Sequence, residues 1–249
     1  MSMWINTGIS LPLIIAALVF SSCNADKCFN STGPLEELEV EIGPHDKITV
    51  YDYIDLRLVQ SDEEKVIVRA GANVIEHVSI EYLSDGQGAV TISDLNQCRW
   101  LRNMEKRPEV EIHTPHLRKI DFFSHGDLVA EGWDLPHLEV ESLRSGRDFF
   151  ISGEIDTLRF NLEKGSPDLY LSGNADFVFI YHFGSGFVYS EELFANRMHL
   201  HHNSTGEFHV FPLEELFAEM HGRGNVYYYN EPDEISGPLI GSGRVLPGN

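Results

Sequence analysis

The sequence predicts an all-β fold: a narrow, single-stranded parallel β-helix, or solenoid, of about twenty residues per coil behind a β-rich N-terminal portion. Three observations predict it. An apolar residue recurs every 18 to 21 positions, at Leu117, Leu138, Leu158, Val178, Met198, Phe217 and Ile235. A small or polar turn follows each one, at His125-Gly126-Asp127, Ser145-Gly146-Arg147, Gly165-Ser166-Pro167, Gly184-Ser185-Gly186, Ser204-Thr205-Gly206, Gly222-Arg223-Gly224 and Gly241-Ser242-Gly243. Two successive units also end a strand in the same pair, Ser152-Gly153 and Ser172-Gly173. A unit this small cannot bury its own apolar face, so it must stack on a neighbour. An antiparallel sandwich also accommodates many short strands with regular turns; the shared phase of apolar, turn and Ser-Gly positions favours the stack.

In chain order, Ile9 to Phe20 is an apolar run too short to span a bilayer comfortably. It leads into Val19-Phe20-Ser21-Ser22-Cys23, which resembles a bacterial lipoprotein processing site, although residues 1–8 carry no Lys or Arg. The expected division is a signal peptide at 1–22, lipidation of Cys23 and a polar tether at 23–34. Export to an oxidising compartment then favours a disulfide between Cys28 and Cys98, stapling the tether to the first half of the fold.

Residues 35–114 read as strands. Period-two alternation marks Glu37–Ile42, Lys47–Val50, Asp55–Val59, Lys65–Arg69, Ala89–Ile92 and Glu109–Ile112. Gly43-Pro44 and Asp85-Gly86 supply turn chemistry, and Asn73–Leu83 reads as a helix-like crossover. The β-helical repeats occupy 115–247. Glu191–Ala195 and Leu213–Phe217 are locally helix-like and fall at coil corners.

Composition excludes some functions. With 39 acidic against 18 basic residues the net charge is -21, and the one basic cluster, Arg99 to Arg107, is interrupted by Glu105. A nucleic-acid partner requires clustered Lys and Arg. The chain carries no Walker loop, HExxH, EF-hand or Gly-x-Ser-x-Gly pattern, so no enzyme is expected. The alternative is a polysaccharide-active enzyme on a β-helix. For it, Asp148 and Asp168 stand one coil apart and Arg144, Arg147 and Arg159 are the nearby cations for uronates. A third reading is a purely structural module stacking through its coil ends, where unpaired backbone needs a cap or a second copy.

Several motifs resemble the head GIN domain family of putative autotransporter adhesins, found in Bacteroidetes envelope lipoproteins. They are Pro115-His116-Leu117 leading into the repeats, the Gly-Ser-Gly turns at 184–186 and 241–243, and the closing run Val226-Tyr227-Tyr228-Tyr229-Asn230-Glu231-Pro232. The resemblance covers about residues 35–247. It departs from the Gly-Ser-Gly pattern at 165–167, 204–206 and 222–224. It implies a helix-like all-β fold on a lipid-anchored protein of the cell envelope, at the outer membrane, with an adhesin-like binding or scaffolding role and no cofactor. A glycan or another envelope protein is the partner class it suggests.

Two sets of side chains are candidate sites. His182, His202 and His221 each follow a ruler residue by four positions and are expected to stack as a polar column, with neutral imidazoles available to a metal such as Zn²⁺. His199 and His201 offer a second, similar pair. Aromatics are dense from Phe177 to Tyr189, with Phe187 and Tyr189 at its end: alternation puts Phe177, Phe179, Tyr181 and Phe183 on one face, and Tyr227 and Tyr229 extend that candidate binding strip toward the C-terminal cap.

Overall fold

A computed structural model describes residues 31–84, 88–96 and 106–249. The expected signal and anchor segment with Cys23, the Asp85-Gly86 pair and most of the basic cluster lie outside them. The N-terminal part contributes β1 (Leu35–Glu41), β2 (Lys47–Asp52), β3 (Asp55–Gln60), β4 (Lys65–Gly71), β5 (Val78–Leu83), β6 (Ala89–Asp94) and β7 (Glu109–Thr114). A single 3-10 turn, Ile75–His77, precedes β5 where a longer helix-like crossover is expected. Next come β8 (Lys119–Ser124) and the long strands β9 (Leu128–Ser142), β10 (Phe149–Leu162), β11 (Leu169–His182), β12 (Val188–His202) and β13 (Phe208–Met220). Three short strands close the stack: β14 (Val226–Tyr228), β15 (Glu234–Ser236) and β16 (Val245–Pro247).

Each long strand bends through a corner, so its first half lies on one wall of the flattened coil and its second half on the other wall of the next coil. The segments Glu191–Ala195 and Leu213–Phe217 are these corners, and they are extended rather than helical. From β8 to β16 all pairing between coils is parallel. On the first wall Leu138, Leu158, Val178, Met198, Leu216 and Ile235 form one file. The ruler therefore holds from Leu138 to Met198. It slips at Phe217, because the next coil is shorter and Leu216 takes the inward place. It also slips at Leu117, since Lys119 pairs with Glu139.

The β-rich N-terminal part joins the same stack out of chain order. On the second wall one inward file runs Val68, Val110, Leu56, Leu128, Phe149, Leu169, Val188, Phe208, Val226 and Val245. The coil of β2 and β3 thus sits between that of β6 and β7 and that of β8 and early β9. Beyond β7 the direction reverses: β4 is antiparallel to β7, β1 to β4, and β5 to β6. Apolar side chains of both parts form one continuous core, and excluding them from water is the main force holding the coils together.

The disulfide expected between Cys28 and Cys98 is corrected. No disulfide bond is present among the described residues, and both cysteines lie outside them. The start of the fold is instead fastened by the ladder of β1 on β4. Arg69 reinforces it, donating to Glu37 at 2.8 Å, Glu109 at 3.1 Å and Glu111 at 2.9 Å, across three neighbouring strands.

The close spacing of coils also explains Ser-Gly. Gly153 and Gly173 adopt φ of 143° and 111°, and a Cβ on Gly173 would collide with the carbonyl of Gly153 one coil away. Only glycine lets the two backbones approach at this corner.

Candidate functional site

The structure separates the predicted residues by wall and by burial. His182 and His202 do share a file, but it faces inward, and both rings are fully buried. The next place in that file is Met220, not His221, because of the shorter coil. His221 is exposed and bonds Glu219 at 2.6 Å. The histidine column is therefore two rings deep in the core rather than three on a wet face. His202 packs on Phe208 with centroids 4.3 Å apart. The Nε2 atoms of His182 and His202 lie 3.4 Å from the Pro167 carbonyl and 3.0 Å from the Gly206 carbonyl, and neither Nδ1 has a hydrogen-bond partner among the described residues. Burial pushes the His182 imidazole down to about 4 and lowers His202 as well, so both are neutral at physiological pH. His199 and His201 lie on the outer face of the first wall, His199 bonded to Glu215 at 3.1 Å and His201 within 3.2 Å of the Glu219 carboxylate. Among the described residues no group of three or more His, Cys, Asp or Glu side chains is placed to hold a metal ion.

The carboxylates one coil apart form a structural ladder. Asp127 N–H donates to Asp55 Oδ1 (3.0 Å), Asp148 N–H to Asp127 Oδ1 (3.2 Å) and Asp168 N–H to Asp148 Oδ1 (3.4 Å). Phe187 N–H continues it to Asp168 Oδ1 at 2.8 Å. Each carboxylate accepts a backbone donor that a tight turn would otherwise leave unpaired. Burial, with Asp168 and Asp127 nearby, pushes the Asp148 carboxyl up. Of the three arginines only Arg147 reaches this column. Arg147 is paired with Asp127 at 3.0 Å, Arg159 lies 4.4 Å over the Phe179 ring on the other wall, and Arg144 is exposed at the turn.

The predicted aromatic strip is divided between the two walls. Phe177, Phe179 and Tyr181 project from the first wall, each half-buried among neighbours. Phe177 meets His199 edge-on at 5.0 Å, Phe179 meets His201 at 5.2 Å, and Arg159 and Arg197 cover the Phe179 and Phe177 rings. Phe183 lies at the turn, 52% exposed. Tyr227 and Tyr229 belong to the second wall, and there they end a different structure.

That structure is an outward file of rings: Phe150, Tyr170, Tyr189, His209 and Tyr227, one per coil. Successive centroids are 4.9, 5.0, 5.7 and 5.3 Å apart, and the ring planes differ by only 9°, 19°, 13° and 21°. Near-parallel rings at this separation are offset, the favourable stacking arrangement, which leaves part of each ring uncovered by its neighbour. Tyr229 flanks the end, its hydroxyl 2.9 Å from His209 Nδ1. A shallow groove of about 360 Å³ runs beside the ladder, floored by Phe150, Tyr170 and Tyr189, with Ser152 and Ser172 and with Glu131, Glu191 and Glu192 along it. Partial burial, followed by Asp148 and Asp168, raises the Tyr170 phenol, so it stays a neutral donor.

The sequence carried a signal for this ladder. Each ring follows an inward residue of the second wall, Phe149, Leu169, Val188, Phe208 or Val226. Residues 177–189 show local density of aromatics along the chain; the file shows only across coils.

Fold and site together define a class: an all-β solenoid presenting a rigid, ring-lined outer face. Residues 44–232 match the family described as "Putative auto-transporter adhesin, head GIN domain", and the chain belongs to that family. No curated protein matches it. The solved structures it is similar to include one described as a putative adhesin from Bacteroides fragilis, at 20% identity and TM-score 0.74, covering 86% of this chain and 97% of that one. A structure described as a putative lipid binding protein from Parabacteroides distasonis has 20% identity and TM-score 0.59, covering 88% and 98%. One described as a putative adhesin from Parabacteroides merdae has 16% identity and TM-score 0.57, also covering 88% and 98%. At these identities the likeness is one of fold.

Proposed function

We propose that this chain is a non-enzymatic binding module of the cell envelope, lipid-anchored through Cys23 at the outer membrane, whose ligand surface is the outer face of the second wall. The observation that carries this is the five-ring ladder with its adjoining groove, an amphipathic strip fixed on paired strands rather than on loops. Family membership and the adhesins among its structural relatives support binding over catalysis. The aspartate ladder supports the same side, because its carboxylates are already committed to backbone donors. A glycan or an envelope protein is the partner class. A glycan array and an envelope pull-down with wild type and Tyr170→Ala test the surface: signal lost in the variant supports it, and signal retained in full refutes it. Labelled palmitate incorporation, absent from Cys23→Ala, tests the anchor.

A second reading rests on the C-terminal end of the stack, where Leu239 and Ile240 are 55% and 62% exposed beside the short edge strands β15 and β16. A second copy meeting this end would cover them. Sedimentation should then show a concentration-dependent dimer that Ile240→Glu abolishes.

A further inference from the structure

We infer that the groove along the aromatic ladder takes a linear glycan bearing free amino groups. This rests on the ladder being the ligand surface, and it adds the chemical class of the ligand.

The charge of the groove is one-sided. Glu131, Glu191 and Glu192 line it, and no Lys or Arg does. Asp148 and Asp168 lie behind the ladder at the turn, and Glu191 and Glu207 add to the negative surroundings of Tyr189. The nearby cation at that turn, Arg147, is paired with Asp127. A uronate, sulfated or phosphorylated chain would meet only like charge here.

The backbone argues against an extended peptide. β10, β11 and β12 are each paired on both sides, so no free edge exists there for strand addition. The groove is also too shallow and regular to supply pockets for alternate side chains. What it offers is a run of partly uncovered rings rising one coil at a time, with Ser152 and Ser172 hydroxyls and the Glu131, Glu191 and Glu192 carboxylates alongside.

An extended pyranose chain advances by about the same distance per sugar as the ladder does per ring, so it can lie along the solenoid axis in register with the coils. Its C–H faces rest on the rings and its hydroxyls reach the serines. A neutral chain would meet the three exposed glutamates with hydroxyl donors alone. An ammonium on the sugar adds charge-assisted hydrogen bonds to those carboxylates.

Calorimetry of the full chain in detergent micelles tests this with a β-1,4-linked glucosamine hexamer, its fully N-acetylated form and hexalysine. The glucosamine hexamer should bind, weaken roughly tenfold in Tyr170→Ala and several-fold in Glu191→Gln/Glu192→Gln, and weaken with added salt. Tyr170→Phe, which keeps the stack, should bind nearly as wild type. Equal binding of the N-acetylated hexamer, unchanged in the glutamine variant, overturns the amino-group assignment and leaves the ladder as the surface. Binding indifferent to Tyr170→Ala overturns both. Hexalysine binding as tightly as the sugar overturns the glycan assignment in favour of a cationic peptide. No heat with either sugar also overturns the inference, while a ladder-dependent signal on a glycan array would still support the broader reading.

Discussion

The two walls of the solenoid share one core and one set of coils, yet their outer faces differ in how their side chains meet from coil to coil. On the first wall, charge and ring alternate from coil to coil. Lys119 donates to Glu139 and Glu141 at 2.8 and 2.9 Å, Arg159 covers Phe179, and His199 bonds Glu215. This wall too has an open groove, of about 380 Å³, lined by Glu139, Arg159, Asn161, Glu163, Phe179 and Tyr181. On the second wall, rings stack on rings, and the polar groups at their margins line an open groove. Local aromatic density marks the first wall, where rings meet His and Arg side chains; rings in register from coil to coil mark the second, where they stack on one another, and that continuity is what favours it as the ligand surface.

The largest disruption should come from what both walls share. Phe208 is fully buried between them and packs against His182 and His202, so Phe208→Ala should cost about 3–5 kcal/mol in urea unfolding, ending binding only by unfolding the chain. Acid comes next. Above pH 6.5 His182 is neutral whether folded or unfolded, and stability does not depend on it. As pH falls below 6.5 the unfolded chain takes up the proton while the buried ring, held to about 4, does not, so stability drops until that value is reached. The loss should be about 2 kcal/mol by pH 5, with a smaller contribution of the same sign from His202, and His182→Leu should flatten the profile.

Smaller effects should separate the walls. Tyr170→Ala removes two stacking partners from a half-open ring and should cost about 1–2 kcal/mol, measured by thermal unfolding, together with ligand binding. Lys119→Ala breaks the paired network of the first wall and should cost about 1 kcal/mol or less, with no effect on binding.

Much of the fold was legible because equal coils write a period into the chain. Leu138, Leu158, Val178 and Met198 fall in one file as the spacing says. Where a coil is shorter the period breaks, and a one-residue slip exchanges inside for outside. That is why Phe217 was read for Leu216, and why His221 was placed in a file that Met220 occupies. The N-terminal coils carry no period at all, because Leu56 pairs with Val110 and Leu128, far from it in sequence, and part of the stack runs antiparallel. Alternation revealed the strands there but not their order. The candidate surface was half legible: Tyr227 was placed in the strip and Tyr189 stood at the end of the dense stretch, but Phe150, Tyr170 and His209 were not singled out, since a file across coils has no local density.

The most direct measurement sets the walls against each other on one glycan array, probed with wild type, Tyr170→Ala and Phe179→Ala. If the second wall holds the ligand, Tyr170→Ala loses signal roughly tenfold while Phe179→Ala keeps it. Signal kept by Tyr170→Ala and lost by Phe179→Ala would place the ligand on the first wall and contradict the account.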